Sequence, residues 1–178
     1  MLIADEERSH TMKKAKHGGQ PSTTSPFGEM TPGEIDQFLT CARVGRIGMV
    51  LKEGPYIVPV GYGYSGGKIF FHTCREGVKM EVLQSNPSVC FEVDESISDN
   101  SLAKSVVILG KAEIIEEKER MIPYLQKLID KYRVPVPFGE YMKRGNRNVN
   151  DELGVARICL ITPHKITGKK LIRTNGNF

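Results

Sequence analysis

No stretch of this chain reaches the roughly 18–20 consecutive apolar residues of a membrane-spanning helix, so no membrane partner is expected. Cysteine is sparse. Its four copies stand at positions 41, 74, 90 and 159, and no two form a CxxC pair, which argues against a zinc site. Cys90 and Cys159 fall inside apolar runs and read as buried thiols. Nothing calls for a disulfide, so a reducing, cytoplasmic setting is expected. The GxxxxGK[ST] phosphate loop is missing, as are GxSxG and HExxH. Gly61-x-Gly63 lacks the strand–helix–strand setting that a dinucleotide fingerprint needs. His72-x-Cys74 has no further His or Cys close by in sequence, so no metal is expected, and Cys74 shows no base that would make it a nucleophile. The first residues carry Asp5, Glu6 and Glu7 and no apolar core of a secretory signal. Basic residues gather near both ends, around Lys13–Lys16 and Lys165–Arg173, but without interleaved aromatics. They read as solvated tails, and no nucleic-acid partner is expected.

What is present is a chain of 178 residues, 39% apolar and 26% charged, with a net charge of +4. That composition suits a single globular domain. Residues 1–26 are polar and read as a flexible N-terminal extension, 27–172 as the domain, and 173–178 as a C-terminal tail. Thr31-Pro32-Gly33-Glu34 has the form of a capping box with proline at the first helical position, so a helix is expected to about residue 43. Strands are expected at 44–51, 56–64, 68–73, 88–94, 104–115, 155–162 and 165–171, with helices at 76–84 and 116–132. Pro59 marks an edge, bulge or opening in the sheet, because proline has no N–H for a ladder. Gly110 marks a bulge or bend. Residues 133–153, rich in Pro, Gly and Asn, read as an irregular packed loop, and Pro163-His164 as a break between the last two strands. Seven strands joined largely by short turns, with three outer helices, make a mainly β, antiparallel barrel-like sheet.

One stretch concentrates the chemistry. The strand ending in His72 and Thr73 leads through Gly77 into a short helix carrying Lys79. A helix N-terminus with free N–H groups, a threonine hydroxyl, a glycine permitting close approach and a lysine together favour an anion such as phosphate. The competing reading is a solvated turn with one basic helix residue. Tyr62 and Tyr64 read either as a stacking surface for an aromatic ligand or as the cover of a sheet face.

The ordered set VGRIGMV, PYIVPVGYGY, GGKIFFHTCREGVKMEVLQSNPSVCFEVD, KSVVILGKAEII and HKITGKK resembles the pyridoxamine 5′-phosphate oxidase-like split-barrel flavoproteins, nearest to their nitroimidazole-resistance branch. The resemblance covers about residues 30–172. It implies an antiparallel split β-barrel that pairs as a homodimer with FMN at the subunit interface. Pro59, Val60 and Gly61 would run beside the flavin ring. Phe71, His72 and Thr73 would end a strand beneath it, and Thr73, Gly77 and Lys79 would face the phosphate. Ser105 would approach the flavin from the partner subunit. His72 would serve as the catalytic residue, donating a hydrogen bond or proton to a small-molecule acceptor. The implied activity is an FMN-dependent oxidoreductase drawing on NADH or NADPH and reducing nitroaromatics such as nitroimidazoles. The alternatives are a flavin- or haem-binding redox-sensing dimer without turnover, and a barrel with no cofactor. Many relatives carry a basic residue just before the lysine, and this chain has Val78 there, with Arg75 as a candidate replacement.

Overall fold

The computed structural model describes residues 27–96, 103–132 and 136–171. The expectations for residues 1–26 and 173–178 lie outside that range, as do residues 133–135 of the expected loop. Eight strands and five helices follow in the order β1 (Phe27–Glu29), α1 (Pro32–Cys41), β2 (Val44–Leu51), β3 (Gly54–Gly61), β4 (Gly63–Ser65), β5 (Lys68–Cys74), α2 (Val78–Ser85), β6 (Ser88–Ser96), β7 (Ala103–Ile115), α3 (Lys118–Tyr132), α4 (Phe138–Arg144), α5 (Val149–Val155) and β8 (Ala156–Leu171). The expected capping box forms at α1. The Thr31 hydroxyl accepts from the Glu34 N–H, and the Glu34 carboxylate accepts from the Thr31 N–H at 2.9 Å. Lys170 on β8 also bonds that carboxylate, which ties the end of the sheet to the start of α1.

The strands make one antiparallel sheet in the order β3-β2-β6-β7-β8-β5-β4, with β1 added to β8. β3 and β4 sit at opposite ends of that order, yet only Tyr62 separates them in sequence. The sheet must therefore curl until its two ends meet at Tyr62. The result is a barrel with a seam, the split barrel that the sequence implied. Pro59 lies on the edge strand β3, opposite Arg46, where its missing N–H costs no ladder bond on the open side. At the seam a side chain supplies what the ladder does not. The Tyr132 hydroxyl of α3 accepts the Tyr62 N–H at 2.9 Å and donates to the Arg43 carbonyl, with the Tyr62 carbonyl 3.0 Å away.

Two cores share one wall. Inside the barrel, Leu39, Ile47, Tyr62, Ile69, Phe71, Phe91, Val106, Ile108, Cys159 and Ile161 pack together. On the outer face of β5 and β8, Phe70, Ile158 and Leu160 pack under α3, α4 and α5 with Met121, Leu128, Ile129, Phe138, Met142 and Leu153. This explains the unbroken apolar runs Ile69-Phe70-Phe71 and Ile158–Ile161: a strand covered on both faces has no reason to alternate.

Five expectations need correction. The single strand expected at 56–64 is two, β3 and β4, parted at Tyr62 and lying at opposite ends of the sheet order. Residues 138–144 and 149–155 are helical rather than irregular. Residues 156–171 form one continuous strand in place of two. Its register against β7 slips by one residue, so that Leu109 faces Lys165 and Gly110 faces Pro163, leaving His164 as the extra residue of a bulge. Gly110 sits opposite, where a Cβ would stand 2.7 Å from the Thr162 carbonyl oxygen. β1 had no counterpart in the expected elements. Cys90 is half-buried on the outer face of β6, whereas Cys159 is fully buried as expected.

Candidate functional site

The strand period of two decides what β5 can present. Phe71 and Thr73 turn into the barrel and are buried, while Phe70 and His72 face α3–α5. Phe71 is thus a core residue whose backbone alone is available to a ligand. Thr73 is the buried polar residue of the core among the described residues.

After β5 the chain turns at Gly77, whose φ of 109° belongs to the left-handed side that side chains disfavour. The space a Cβ would take there is open. Gly77 caps α2, and its carbonyl accepts from Met80 and Glu81. The N–H groups of Val78 and Lys79 are left without helical partners and carry the helix's partial positive charge. Lys79 is half-buried. Its ammonium lies 5.2 Å from the centre of the Phe71 ring and has no carboxylate partner among the described residues. Desolvation holds its pKa below the ordinary lysine value. A desolvated cation without a counter-ion, beside an open glycine and free N–H groups, fits an anion with several acceptor oxygens. Arg75 extends into solvent and pairs with Glu76 at 2.9 Å. Val78 is exposed and adds no charge.

On the other face of β5 lies a cavity of about 470 Å³. Gly61, His72 and Ala156 form its sheet wall, α3–α5 form its apolar wall, and Arg43, Arg147, Glu152, Tyr132 and Tyr141 also line it. Gly61 lies against Tyr132, whose hydroxyl would be 3.5 Å from a Cβ at that position. The His72 ring is reachable from the cavity mouth. Desolvation by the surrounding protein, and then the nearby Lys79 charge, lower its pKa, and Glu152 opposes them. At neutral pH the imidazole is therefore uncharged, with one N–H to give and one nitrogen to accept.

The expected site residues thus fall into three groups. Phe71, His72, Thr73, Gly77 and Lys79 cluster at the end of β5 and the start of α2, and Gly61 joins His72 in the cavity. Pro59 and Val60 lie on β3 with their side chains on opposite faces, Pro59 exposed and Val60 against the barrel core. Ser105 is remote. It pairs with Lys169, whereas Thr73 pairs with Arg157, twelve residues earlier on β8 and on the order of 40 Å of strand away. Within one chain Ser105 does not reach the cluster. Tyr62, left open by the sequence, is structural: it is fully buried, donates to the Leu39 carbonyl at 2.8 Å and meets the Phe91 ring edge-on at 5.2 Å. Tyr64 bonds Asp36 of α1. The cavity was missed as a site, although its α3 wall is legible as the apolar stripe Leu125, Leu128 and Ile129 of the expected helix, and Phe138 and Met142 stand at i,i+4.

Comparisons with known proteins bear on the whole of this architecture. The chain is 30% identical over 82 residues to an uncharacterised protein of Rhizobium meliloti (strain 1021), RA0666, a match covering 46% of this chain. The chain spans about half the length of that curated relative. Its fold is shared with a candidate 5-nitroimidazole antibiotic resistance protein from Bacteroides thetaiotaomicron, at a TM-score of 0.68 and 22% identity over 81% of this chain and 87% of the other. A FAD-binding protein from Mesorhizobium loti aligns with a TM-score of 0.61 and 21% identity over 81% and 97% of the two chains. A family model described as pyridoxamine 5′-phosphate oxidase matches residues 31–170, which takes in every strand from β2 to β8 and the α2 cluster, so this chain belongs to the pyridoxamine 5′-phosphate oxidase family.

Proposed function

We propose that this chain is a flavin-dependent oxidoreductase that binds FMN and, with NADH or NADPH as reductant, reduces a small acceptor such as a nitroaromatic compound. The observation that carries the reading is the half-buried Lys79, without a counter-ion among the described residues, set beside Gly77 and the free N–H groups of α2. These groups would hold the phosphate, with the Thr73 hydroxyl as a further donor. Gly61, which has no side chain of its own, offers backbone to the ring edge beside Tyr132, and the FAD-binding relative from Mesorhizobium loti favours a flavin. The flavin, when bound, supplies the redox chemistry that carries two electrons as hydride from the nicotinamide to the acceptor. The chain binds and orients these groups and limits water. Uncharged His72 would hold the acceptor by a hydrogen bond from its N–H, and the proton that the acceptor takes up would come from solvent.

The same reading makes the protein a homodimer. Ser105, on β7 opposite Lys169 of β8, lies too far from its own chain's cluster to serve it, so it would serve the site of a second copy. The uncovered outer face of β2 and β3, with Val50 and Ile57 exposed, is the surface that would pair. Val78 favours a second reading, a barrel with a weak hold on its cofactor, since an exposed valine stands where relatives often place a second cation.

The purified protein should be yellow, and acid should release FMN identifiable by chromatography. A colourless protein that takes up no added FMN overturns the proposal. Anaerobic NADH or NADPH should bleach the flavin band, and a band that persists leaves only a binding module. Lys79→Ala should weaken FMN binding by about 1.5–3 kcal/mol, the worth of a charge-assisted contact, as measured by flavin fluorescence titration. Unchanged affinity places the phosphate elsewhere.

A further inference from the structure

The cavity beneath α3–α5 has a wall and a charge balance of its own. Its apolar side comes from Leu125, Leu128, Ile129, Phe138, Met142 and Leu153. Its volume of about 470 Å³ falls in the size class of small-molecule sites, which runs from roughly 300 to 1,000 Å³. Aromatic faces from Tyr132 and Tyr141 complete it. The charges lie at the rim. Arg147 stands 3.7 Å from Glu152 and over the Tyr141 ring, so one cation and one carboxylate offset each other. Arg43 lies 5.8 Å from the centre of the Tyr132 ring and has no carboxylate partner among the described residues. The described lining therefore holds two guanidinium groups against one carboxylate, with His72 uncharged beside them. Arg43, exposed at the cavity, is the cation that no lining carboxylate offsets, and a planar guanidinium matches a carboxylate geometrically better than an ammonium does.

We propose that this cavity selects a monoanionic aromatic acid, its ring seated against the apolar wall of α3–α5 and its carboxylate held by Arg43. The inference rests on the redox reading above only in naming this acid as the acceptor class; the binding itself does not. The apolar wall alone would take any ring of the right size. Arg43 would convert that tolerance into a preference for acids, because a neutral isostere leaves the guanidinium without its partner.

The test uses the purified full chain and two probes, 4-nitrobenzoate and its neutral isostere 4-nitrobenzamide, titrated by calorimetry without reductant. The acid should bind about 10- to 100-fold more tightly than the amide, the range expected for one charge-assisted contact. Arg43→Gln should erase that difference and leave the affinity for the amide unchanged. Leu125→Trp, which fills the cavity from α3, should weaken both probes together, with circular dichroism confirming that the fold is kept. Equal affinities in the unmodified protein, binding of neither probe, a preference that survives Arg43→Gln, or probes indifferent to Leu125→Trp would each overturn the proposal. Its failure is separable from failure of the redox reading. Tight, Arg43-dependent binding with no flavin-linked reduction would refute the redox reading and keep the site. Reduction of acid and amide with equal KM would refute the site and keep the redox reading.

Discussion

The two halves of the sheet are built alike and covered differently. Strands β5 and β8 carry apolar residues on both faces, and both faces are packed, one into the barrel and one under α3–α5. Strands β2, β3 and β6 alternate, burying Ile47, Met49, Phe91 and Val93 while turning Val44, Arg46, Val50 and Ile57 outward. Ile57 is 64% exposed and Val50 61%. Such residues on a strand face cost nothing to a monomer's core, but together they are a surface that water covers poorly. The difference separates two jobs. The doubly covered half backs His72 and the cavity with packed strands, and the singly covered half leaves an apolar face in solvent.

The largest expected effect lies in the covered half. Phe70→Ala, which removes a ring buried between β5 and α3, should cost about 3–5 kcal/mol in urea unfolding. A loss below about 1 kcal/mol would mean that the helices are not a true second core. The paired change Val50→Glu and Ile57→Glu in the open half should do the reverse, leaving the melting temperature of the monomer nearly unchanged while abolishing self-association in sedimentation. If association persists, the pairing face is elsewhere. At the seam where the halves meet, Tyr132→Phe removes the hydroxyl that serves Tyr62 and Arg43, and should cost about 1–3 kcal/mol. Faster amide exchange at Tyr62 would be its local signature.

The smallest effect concerns pH. The folded state holds the pKa of His72 below the ordinary imidazole value, so the unfolded chain binds that proton first. The resulting contribution to stability is therefore constant above about pH 6.5 and declines as pH falls from there towards the folded-state value. Lys79→Met should raise the pKa of His72 only part of the way, since desolvation is the larger cause, and Glu152→Gln should lower it further. Imidazole proton NMR reads both shifts. A Lys79→Met variant with an unmoved His72 would place the two groups out of electrostatic reach.

The sequence was most readable where local rules and tertiary packing agree. The capping box at Thr31 and Glu34, the edge proline at Pro59 and the irregularity opposite Gly110 each follow from backbone chemistry, and each is found in place. It was least readable where packing overrides composition. The stretch 133–153 looked irregular because its proline, glycine and asparagine content discourages helix. Yet Phe138 and Met142, and Leu153 one segment later, are buried against β5 and β8 and hold two seven-residue helices that would not persist alone. β1 spans three residues and exists only through its pairing with Leu171, Lys170 and Lys169. The candidate site divides the same way. Thr73, Gly77 and Lys79 are neighbours in sequence and could be read together. The cavity on the far side of His72 draws on Arg43, α3, α4 and α5, and no linear pattern brings those together.

The place of β8 in the sheet has a consequence for synthesis. It lies between β7 and β5, and among the described residues no other strand joins the block β3-β2-β6-β7 to the pair β5-β4. A chain emerging from the ribosome can form hairpins up to residue 115, but its barrel stays in two pieces until residues 156–171 arrive. Every ladder that β5 makes to the larger block spans more than eighty residues of sequence, from Ile69–Cys74 to Ala156–Ile161. Folding should accordingly be slow and late, governed by the arrival of one strand. Until then the apolar run Ile69-Phe70-Phe71 lacks the strand that completes both of its cores.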